Sequence, residues 1–175
     1  MNVVILAFAL VAGLASAAEP LATVGAVDLS RYAGPWFEVA KYPNRFQRQC
    51  VADTTATYRV LDDGNVGVVN RCGTADGMDE ANGLARRLDG RTDRLEVSFL
   101  PAALRWLPIG WGNYWIIELA PDYRYAVIGE PSREYLWVLS RTRTLSPDDR
   151  RAIEARLPLH GYDAKRLVDS PQEKN

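Results

Sequence analysis

Few side chains in this sequence have the chemistry to catalyse a reaction or to bind a metal. The chain contains one histidine, His160, and two cysteines, Cys50 and Cys72. His160 stands just past a predicted helix and directly before Gly161, a position typical of a surface residue rather than a general base. A metal cluster or a Cys/His catalytic pair needs more such residues than this. We therefore predict a protein without a metal site or a cofactor.

A tryptophan and an arginine far apart in the sequence have the chemistry to stack on each other. Gly34-Pro35-Trp36 lies in the first strand-like run, and Arg141 ends the last one. A guanidinium over an indole ring contributes about 0.5 to 2 kcal/mol when it is shielded from water. We predict that Gly34, Trp36 and Arg141 close one end of a small barrel, called the floor below. The other end, the mouth, stays open for a ligand.

Short β-rich runs follow one another at hairpin spacing and are separated by Gly, Pro, Asp and Asn, which favours an antiparallel barrel or sandwich. Ser146 and Pro147 predict the start of a helix that ends near Leu157, with Ile153 and Leu157 against the outside of the sheet. The predicted strands lie near 36–41, 54–61, 66–72, 83–88, 95–100, 113–119, 125–129 and 135–141, and a last short strand near 164–168.

The composition is that of one ordinary globular domain, with 21 basic and 22 acidic side chains in 175 residues. This balance shows no nucleic-acid footprint. Residues 1–17 form an apolar run that ends in small residues, which predicts a secretory signal peptide. A short membrane anchor is the alternative, but the run is shorter than the roughly 18 to 20 apolar residues that a span needs. The predicted barrel domain is 27–169, and 170–175 is a predicted disordered tail.

The two cysteines of an exported chain favour a disulfide, because oxidising compartments permit one. The predicted turn at Asp62-Asp63-Gly64 places Cys72 opposite Thr54 rather than Cys50. Both cysteines nevertheless fall at the same end of this hairpin. We predict the Cys50–Cys72 bridge, and two free thiols are the alternative.

Three motifs resemble those of the lipocalin family, and most closely those of the bacterial outer-membrane type, which is akin to apolipoprotein D. They are Gly34-Pro35-Trp36-Phe37-Glu38, Pro121-Asp122-Tyr123-Arg124-Tyr125-Ala126-Val127 and Leu136-Trp137-Val138-Leu139-Ser140-Arg141-Thr142. The resemblance implies an all-β fold: an eight-stranded antiparallel up-and-down barrel with one C-terminal α-helix packed outside. Bacterial relatives often carry a lipidated cysteine after the signal, whereas Ala17-Ala18 stands here.

Closed barrels of eight strands have room inside for one small ligand. Side chains alternate along each strand, so counting from the floor and choosing the more apolar face predicts which residues point inward. A dry core filled by the same side chains is the alternative. The predicted ligand-binding residues are Ala56, Tyr58, Val60, Val66, Val68, Leu95, Val97, Phe99, Tyr114, Ile116, Ala126, Ile128, Tyr135, Trp137 and Leu139.

The loops after strands one, three, five and seven fall at the mouth, because the first strand starts at the floor. The loop at 101–111 is unusually apolar, so Trp106 and Trp111 are predicted to touch a bilayer, a partner chain or the ligand's tail. Folding inward as a lid is the alternative. Arg45, Phe46 and Arg48 in the first mouth loop are predicted to contact a phosphate or carboxylate headgroup, unless they are only solvated.

The apolar interior and the cationic mouth predict a protein that binds and carries a fatty acid or a lysophospholipid, and the resemblance implies a role in storage, transport or maintenance of envelope lipids. Its predicted location is the periplasm or cell envelope, associated with the outer membrane or secreted. One alternative is an envelope interaction protein that docks or dimerises through the Trp-rich mouth loop. A remote alternative is an enzyme that uses Glu38 as a buried acid beside Trp36.

Overall fold

A computed structural model describes residues 19–173 as a closed antiparallel barrel with one helix outside it. The sheet order is β2-β3-β4-β5-β6-β7-β8-β1, with β1 also paired to β2, and β9 adds to the outer side of β1. This confirms the predicted fold class. The strands are β1 (Gly34–Lys41), β2 (Ala52–Val60), β3 (Val66–Thr74), β4 (Gly77–Arg87), β5 (Arg94–Ser98), β6 (Gly112–Leu119), β7 (Tyr125–Gly129), β8 (Leu136–Ser140) and β9 (Val168–Asp169).

Two α-helices complete the fold of residues 19–173, α1 (Leu29–Tyr32) and α2 (Pro147–Arg156). Ser146 caps α2 as predicted, because its Oγ accepts a hydrogen bond from the Asp149 amide at 3.1 Å. Ile153 and Leu157 are fully buried against the outer face of the barrel. The sequence analysis did not predict α1, which Asp28 caps through the amides of Ser30 and Arg31.

Most strand ends differ from the prediction by one or two residues, and two strands differ more. β4 begins at Gly77 rather than near Gly83, and its first residues are all exposed. They therefore lack the alternation that identifies a strand, yet they pair with β3 along their length. The final strand is only Val168–Asp169, because residues 164–166 form a 3₁₀ turn capped by the Asp163 side chain.

The floor of the barrel is built by α1, the start of β1 and the end of β8. The Arg141 guanidinium carbon lies 3.8 Å from the centroid of the Trp36 ring. Its Nη1 donates to the Pro35 carbonyl at 2.8 Å, and its Nη2 donates to the carbonyls of Arg31, Tyr32 and Ala33. The Trp36 Nε1 donates to the Tyr32 carbonyl at 2.8 Å. Arg141 thus stacks on the indole and also satisfies the carbonyls that end α1.

Residues 170–173 lie against the barrel wall, although they were expected to belong to a disordered tail. The Asp53 amide donates to the Pro171 carbonyl at 2.9 Å, and Gln172 Nε2 donates to the carbonyls of Glu38 and Thr54. The pairing of β1 with β2 stops at Phe37, so the mouth-side halves of these strands have backbone groups left to pair. The chain after β9 supplies partners for them. Residues 174 and 175 lie outside the described part.

The predicted signal peptide at 1–17 also lies outside the described residues. Within residues 19–173, no helix is both long enough and apolar enough to cross a membrane.

The predicted disulfide is confirmed, because Cys50 and Cys72 are bonded and their Cα atoms are 5.5 Å apart. The register of β2 with β3 shifts between Ala52 and Thr55. Pairing counted from the turn therefore does not continue to Cys50. The bond therefore fastens the end of the first mouth loop to the mouth end of β3.

We expect the Cys50→Ser/Cys72→Ser variant to be about 3 kcal/mol less stable, because the bond closes a loop of 22 residues. Urea unfolding at neutral pH measures the difference. Reducing agent should lower the midpoint of the wild type and leave that of the double variant unchanged. An equal shift in both proteins would show that the reductant acts elsewhere.

Asp93 is a fully buried acid at the start of β5, with 0% of its surface exposed. Its carboxylate accepts hydrogen bonds from the Arg91 guanidinium at 2.6 and 2.9 Å and from the Gly25 amide at 2.8 Å. Burial alone would raise the pKa of Asp93, but the hydrogen bonds from Arg91, Thr23 and Gly25 outweigh it and lower the pKa below its ordinary value. This side chain holds the N-terminal segment on the barrel.

Asp93→Asn is expected to cost about 1 to 3 kcal/mol of stability at pH 7, because buried donors lose a charged acceptor. The folded pKa lies below the ordinary value of about 3.9, so the stabilisation is complete above about pH 5 and is lost as the pH falls through the folded pKa. Urea unfolding from pH 7 to pH 3 measures the difference in free energy of unfolding between wild type and Asp93→Asn, which should become smaller at lower pH. A difference that does not depend on pH would contradict this role for the carboxylate.

Candidate functional site

The mouth half of the barrel contains a cavity of about 840 Å³. It opens between the β1–β2, β5–β6 and β7–β8 loops and the β3–β4 turn, which is the end predicted from the chain direction. Aromatic and aliphatic side chains form most of its wall. Of the predicted ligand-binding residues, those that border the cavity are Ala56, Tyr58, Val68, Leu95, Val97, Phe99, Tyr114, Tyr135, Trp137 and Leu139.

The remaining predicted ligand-binding residues do not border the cavity. Val66, Ile116, Ala126 and Ile128 point inward but pack with Trp36 in a closed core above the floor. Val60, the last residue of β2, is 39% exposed at the floor end. Alternation along a strand predicts the face of a side chain but not its depth, and the floor half of the barrel is filled. The mouth half of the barrel is thus hollow, as the ligand-binding prediction requires, and the floor half is filled by side chains, as the dry-core alternative requires.

Only some of the predicted mouth residues border the cavity. Arg45, Phe46 and Trp111 border the cavity, whereas Arg48 and Trp106 do not. Phe46 packs on Tyr135, with ring centroids 5.3 Å apart, and is still mostly exposed.

The β5–β6 loop holds its two tryptophans in different environments. Trp111 packs against the outer face of the sheet: its Nε1 donates to the Arg105 carbonyl at 2.8 Å, and its ring centroid lies 3.9 Å from the guanidinium of Arg86, which pairs with Glu96 across β4 and β5. Trp106 is 77% exposed, and Ile109 is 90% exposed at the rim. These contacts do not support the lid alternative for either tryptophan.

Glu38 is a buried carboxylate in the cavity wall. Its Oε2 accepts from Gln47 Nε2 at 2.6 Å, and its Oε1 accepts from Ser170 Oγ at 2.6 Å and lies 3.0 Å from Lys41 Nζ. Both oxygens thus have partners from this chain. The sequence analysis considered Glu38 as an acid but found none of these partners.

Gln47 connects the first mouth loop to the cavity wall, and sequence reasoning missed it. Besides donating to Glu38, it accepts hydrogen bonds at Oε1 from Trp137 Nε1 at 2.9 Å and from Asn44 Nδ2 at 2.8 Å. Gln47 lies in a 3₁₀ turn, where the alternation of strands gives no signal. Besides the disulfide, this side chain fixes the loop that carries Arg45 and Phe46 to the wall.

Charged side chains of both signs surround the rim. Arg71 donates to Glu80 at 2.7 Å across the β3–β4 pair, and both are largely exposed. Arg45 forms no ion pair within residues 19–173 and lies over the Phe46 ring at 5.1 Å. The rim therefore presents a cation with its charge unpaired beside an apolar opening.

Three tyrosine hydroxyl groups form a hydrogen-bonded chain at the inner end of the cavity. The Tyr32 and Tyr114 hydroxyl oxygens are 2.7 Å apart, and Tyr114 donates to the Tyr58 hydroxyl at 2.9 Å. Burial raises the pKa of all three phenols above the ordinary value, so each stays protonated at neutral pH. Tyr58 and Tyr114 border the cavity, and Tyr32 lies beneath them.

Asn70 is a further polar group in the wall that the sequence analysis passed over. It follows Val66 and Val68 on the inward face of β3 and pairs with Ala56 across to β2. Its Oδ1 is buried and has no hydrogen-bond partner among the described residues. Period-two counting along β3 would have found it, but the choice of apolar residues removed it.

Comparisons with known proteins agree with this geometry. A family model described as a lipocalin-like domain matches residues 27–172. Temperature-induced lipocalin-1 of Arabidopsis thaliana is 36% identical over 157 residues, which cover 88% of this chain and 84% of that protein. The outer membrane lipoprotein Blc of Escherichia coli (strain K12) is 33% identical over 149 residues, 81% of this chain and 77% of that protein. The solved structure of insecticyanin from the tobacco hornworm Manduca sexta has a TM-score of 0.69, covers 89% of this chain and 86% of that chain, and is 18% identical.

Proposed function

Because this chain belongs to the lipocalin family, whose members bind small hydrophobic ligands in their barrels, we propose that it binds and carries a fatty acid or a lysophospholipid. The acyl chain occupies the cavity, and the polar head stays at the rim. The observation that carries the proposal is the open apolar cavity of about 840 Å³ above a closed floor.

The size and chemistry of this cavity suit a single acyl chain. Burial of each CH₂ group contributes about 0.8 kcal/mol, so a chain of about a dozen carbons gains near 10 kcal/mol before the costs of association. Those costs remove several kcal/mol. A dissociation constant near the micromolar range follows.

The rim supports a head that carries an anionic group. Arg45 and Arg71 border the cavity opening, and Arg45 has no acidic partner within the described chain. A guanidinium binds phosphate or carboxylate through parallel hydrogen bonds. Ligands with such a head should therefore bind more weakly as the salt concentration rises.

Fluorescence titration tests the proposal directly. Delipidated protein is titrated with a fatty acid that carries an environment-sensitive fluorophore, and unlabelled lysophospholipid is then added. Saturable binding and displacement support the proposal. The absence of saturable binding by folded, delipidated protein would overturn it.

We further propose that the protein is exported and serves lipid storage, transport or maintenance in the cell envelope. The similarity to outer membrane lipoproteins named Blc supports this location. Fractionation of the source cells, with detection of the protein in the envelope fractions, tests it. Recovery only with cytosolic markers would contradict it.

A second candidate function is docking of the mouth on a membrane surface or on a second copy of the chain. The exposure of Trp106 and Ile109, with Phe46 and Leu104 also exposed at the same end, favours it. Flotation with anionic vesicles and gel filtration, each with Trp106→Ser as the variant, distinguish a membrane from a dimer. Unchanged flotation and elution in the variant would exclude Trp106 from either contact.

The proposed activity is carriage without a catalytic step. The Glu38 carboxylate supports this, because Gln47, Ser170 and Lys41 already occupy both of its oxygens. A turnover that depends on pH and disappears in Glu38→Gln would show an enzyme instead.

A further inference from the structure

We propose that the natural ligand carries an oxygen atom in the part that enters the inner half of the cavity, and that the Tyr58 hydroxyl donates a hydrogen bond to it. This inference rests on the proposed function, because it takes the cavity to hold a lipid. The ligand class is an oxygenated lipid, with a keto, hydroxyl or carboxyl oxygen at its inner end.

The number of protons in the tyrosine chain gives the chain a direction. A phenol has one proton to donate. Tyr114 gives its proton to Tyr58, so the short contact between Tyr32 and Tyr114 requires Tyr32 to be the donor there. The chain therefore runs in one direction, from Tyr32 through Tyr114 to Tyr58. Tyr58 accepts a hydrogen bond and retains its own proton.

The Tyr58 proton has no acceptor among residues 19–173, whereas the hydroxyls before it in the chain are used. Tyr58 borders the cavity, and its side chain is otherwise buried. Each hydrogen bond in such a chain polarises the next, which makes the last hydroxyl a better donor. A ligand oxygen is the partner that this arrangement lacks.

A second polar group on the same wall also lacks a partner, and it is an acceptor that needs a donor from the ligand. Asn70 lies on β3 beside the Ala56 and Tyr58 pairs, and its buried Oδ1 has no partner among the described residues. It also borders the cavity. Buried polar atoms of native proteins are nearly always paired. An unmodified hydrocarbon chain beside them would leave the Tyr58 proton and the Asn70 Oδ1 without partners. A ligand hydroxyl can accept from Tyr58 and donate to Asn70, whereas a keto oxygen can only accept from Tyr58.

The consequence is a preference between ligands of equal length. A lipid whose inner end carries an oxygen at the depth of Tyr58 should bind about 5 to 10 times more tightly than its unmodified analogue. A fatty acid that enters head first would satisfy the same donor with its carboxyl group. The experiment must therefore distinguish an oxygen on the chain from the carboxyl head.

The variant must remove both hydroxyls that border the cavity. In Tyr58→Phe, the Tyr114 proton loses its acceptor and becomes available only 2.9 Å from the lost oxygen. Tyr58→Phe/Tyr114→Phe removes both donors and keeps the rings. Tyr125→Phe is the matched control, because Tyr125 packs in the cluster outside the barrel, does not border the cavity, and its hydroxyl makes no hydrogen bond among the described residues.

The test measures displacement of the fluorescent probe by dodecanoic acid and by twelve-carbon keto acids with the carbonyl at different positions. Wild type and Tyr125→Phe should prefer one keto acid, and the double variant should lose that preference. The infrared stretch of the bound ketone should lie at lower wavenumber in wild type than in the double variant. If dodecanoic acid itself loses affinity in the double variant, its carboxyl group is the oxygen at Tyr58.

Two failures can be told apart. If dodecanoic acid and the keto acids all bind with the same affinity in wild type and in the double variant, the inference is wrong and the carrier function stands. If none of them displaces the probe from folded, delipidated wild type, the proposed function fails and the inference fails with it.

Discussion

Replacing Arg141 with alanine is expected to lower the free energy of unfolding by about 3 kcal/mol, because the carbonyls of Arg31, Tyr32, Ala33 and Pro35 lose a charged donor. The indole of Trp36 also loses the cation stacked on it. Arg141→Lys should recover less than half of the loss, since an ammonium group lacks the planar fork that reaches several carbonyls. Urea unfolding of the oxidised proteins measures these differences.

Arg143→Ala is the matched control for this prediction. Arg143 also lies near an aromatic ring, 5.0 Å from the centroid of Phe37, and pairs with Asp53 at 3.1 Å on the surface. Its loss should cost less than about 1 kcal/mol. Equal losses for both arginines would show that the floor contact has no special role in stability.

Val68→Trp is expected to weaken lipid binding at least about tenfold, because the indole occupies the inner half of the cavity. Val68 borders the cavity and is the register partner of Tyr58 on the neighbouring strand. The probe titration described above measures the effect, and urea unfolding verifies that the variant is folded.

The neighbouring Val69 provides the matched control. It faces away from the cavity on the same strand and pairs with Thr57 and Asn82. Val69→Trp adds the same volume outside the barrel and should leave affinity within about twofold of wild type. Wild-type affinity in Val68→Trp would place the ligand outside the barrel.

The barrel can be predicted from the sequence because local alternation indicates the strands, and motifs near the two ends of the chain indicate how the barrel closes. Runs of alternating residues indicate strands, and Trp36 with Arg141 indicates the floor. The same alternation correctly points Ile116 and Ile128 inward. It does not show that they lie in the closed core rather than in the cavity, because the height of that core depends on packing by α1 and Trp36.

The polar parts of the site were harder to predict for a different reason. Asn70 lies at an inward position of β3, but a search for apolar faces rejects it. Gln47 and Ser170 reach Glu38 from a turn and from the chain after β9, which have no strand period to count. The Gln47 contact depends on how the first mouth loop folds back, and the Ser170 contact spans 132 residues of sequence, so only the folded structure shows them.

The pairing of β1 with β8 joins the two ends of the barrel. Arg141 makes the same connection to Pro35 across 106 residues of sequence. Structures dominated by such distant pairings have high contact order and fold in milliseconds to seconds rather than microseconds. A chain still on the ribosome exposes its aromatic wall until β8 has been synthesised. We therefore expect this protein to depend on chaperones during synthesis more than a helical bundle of equal length does.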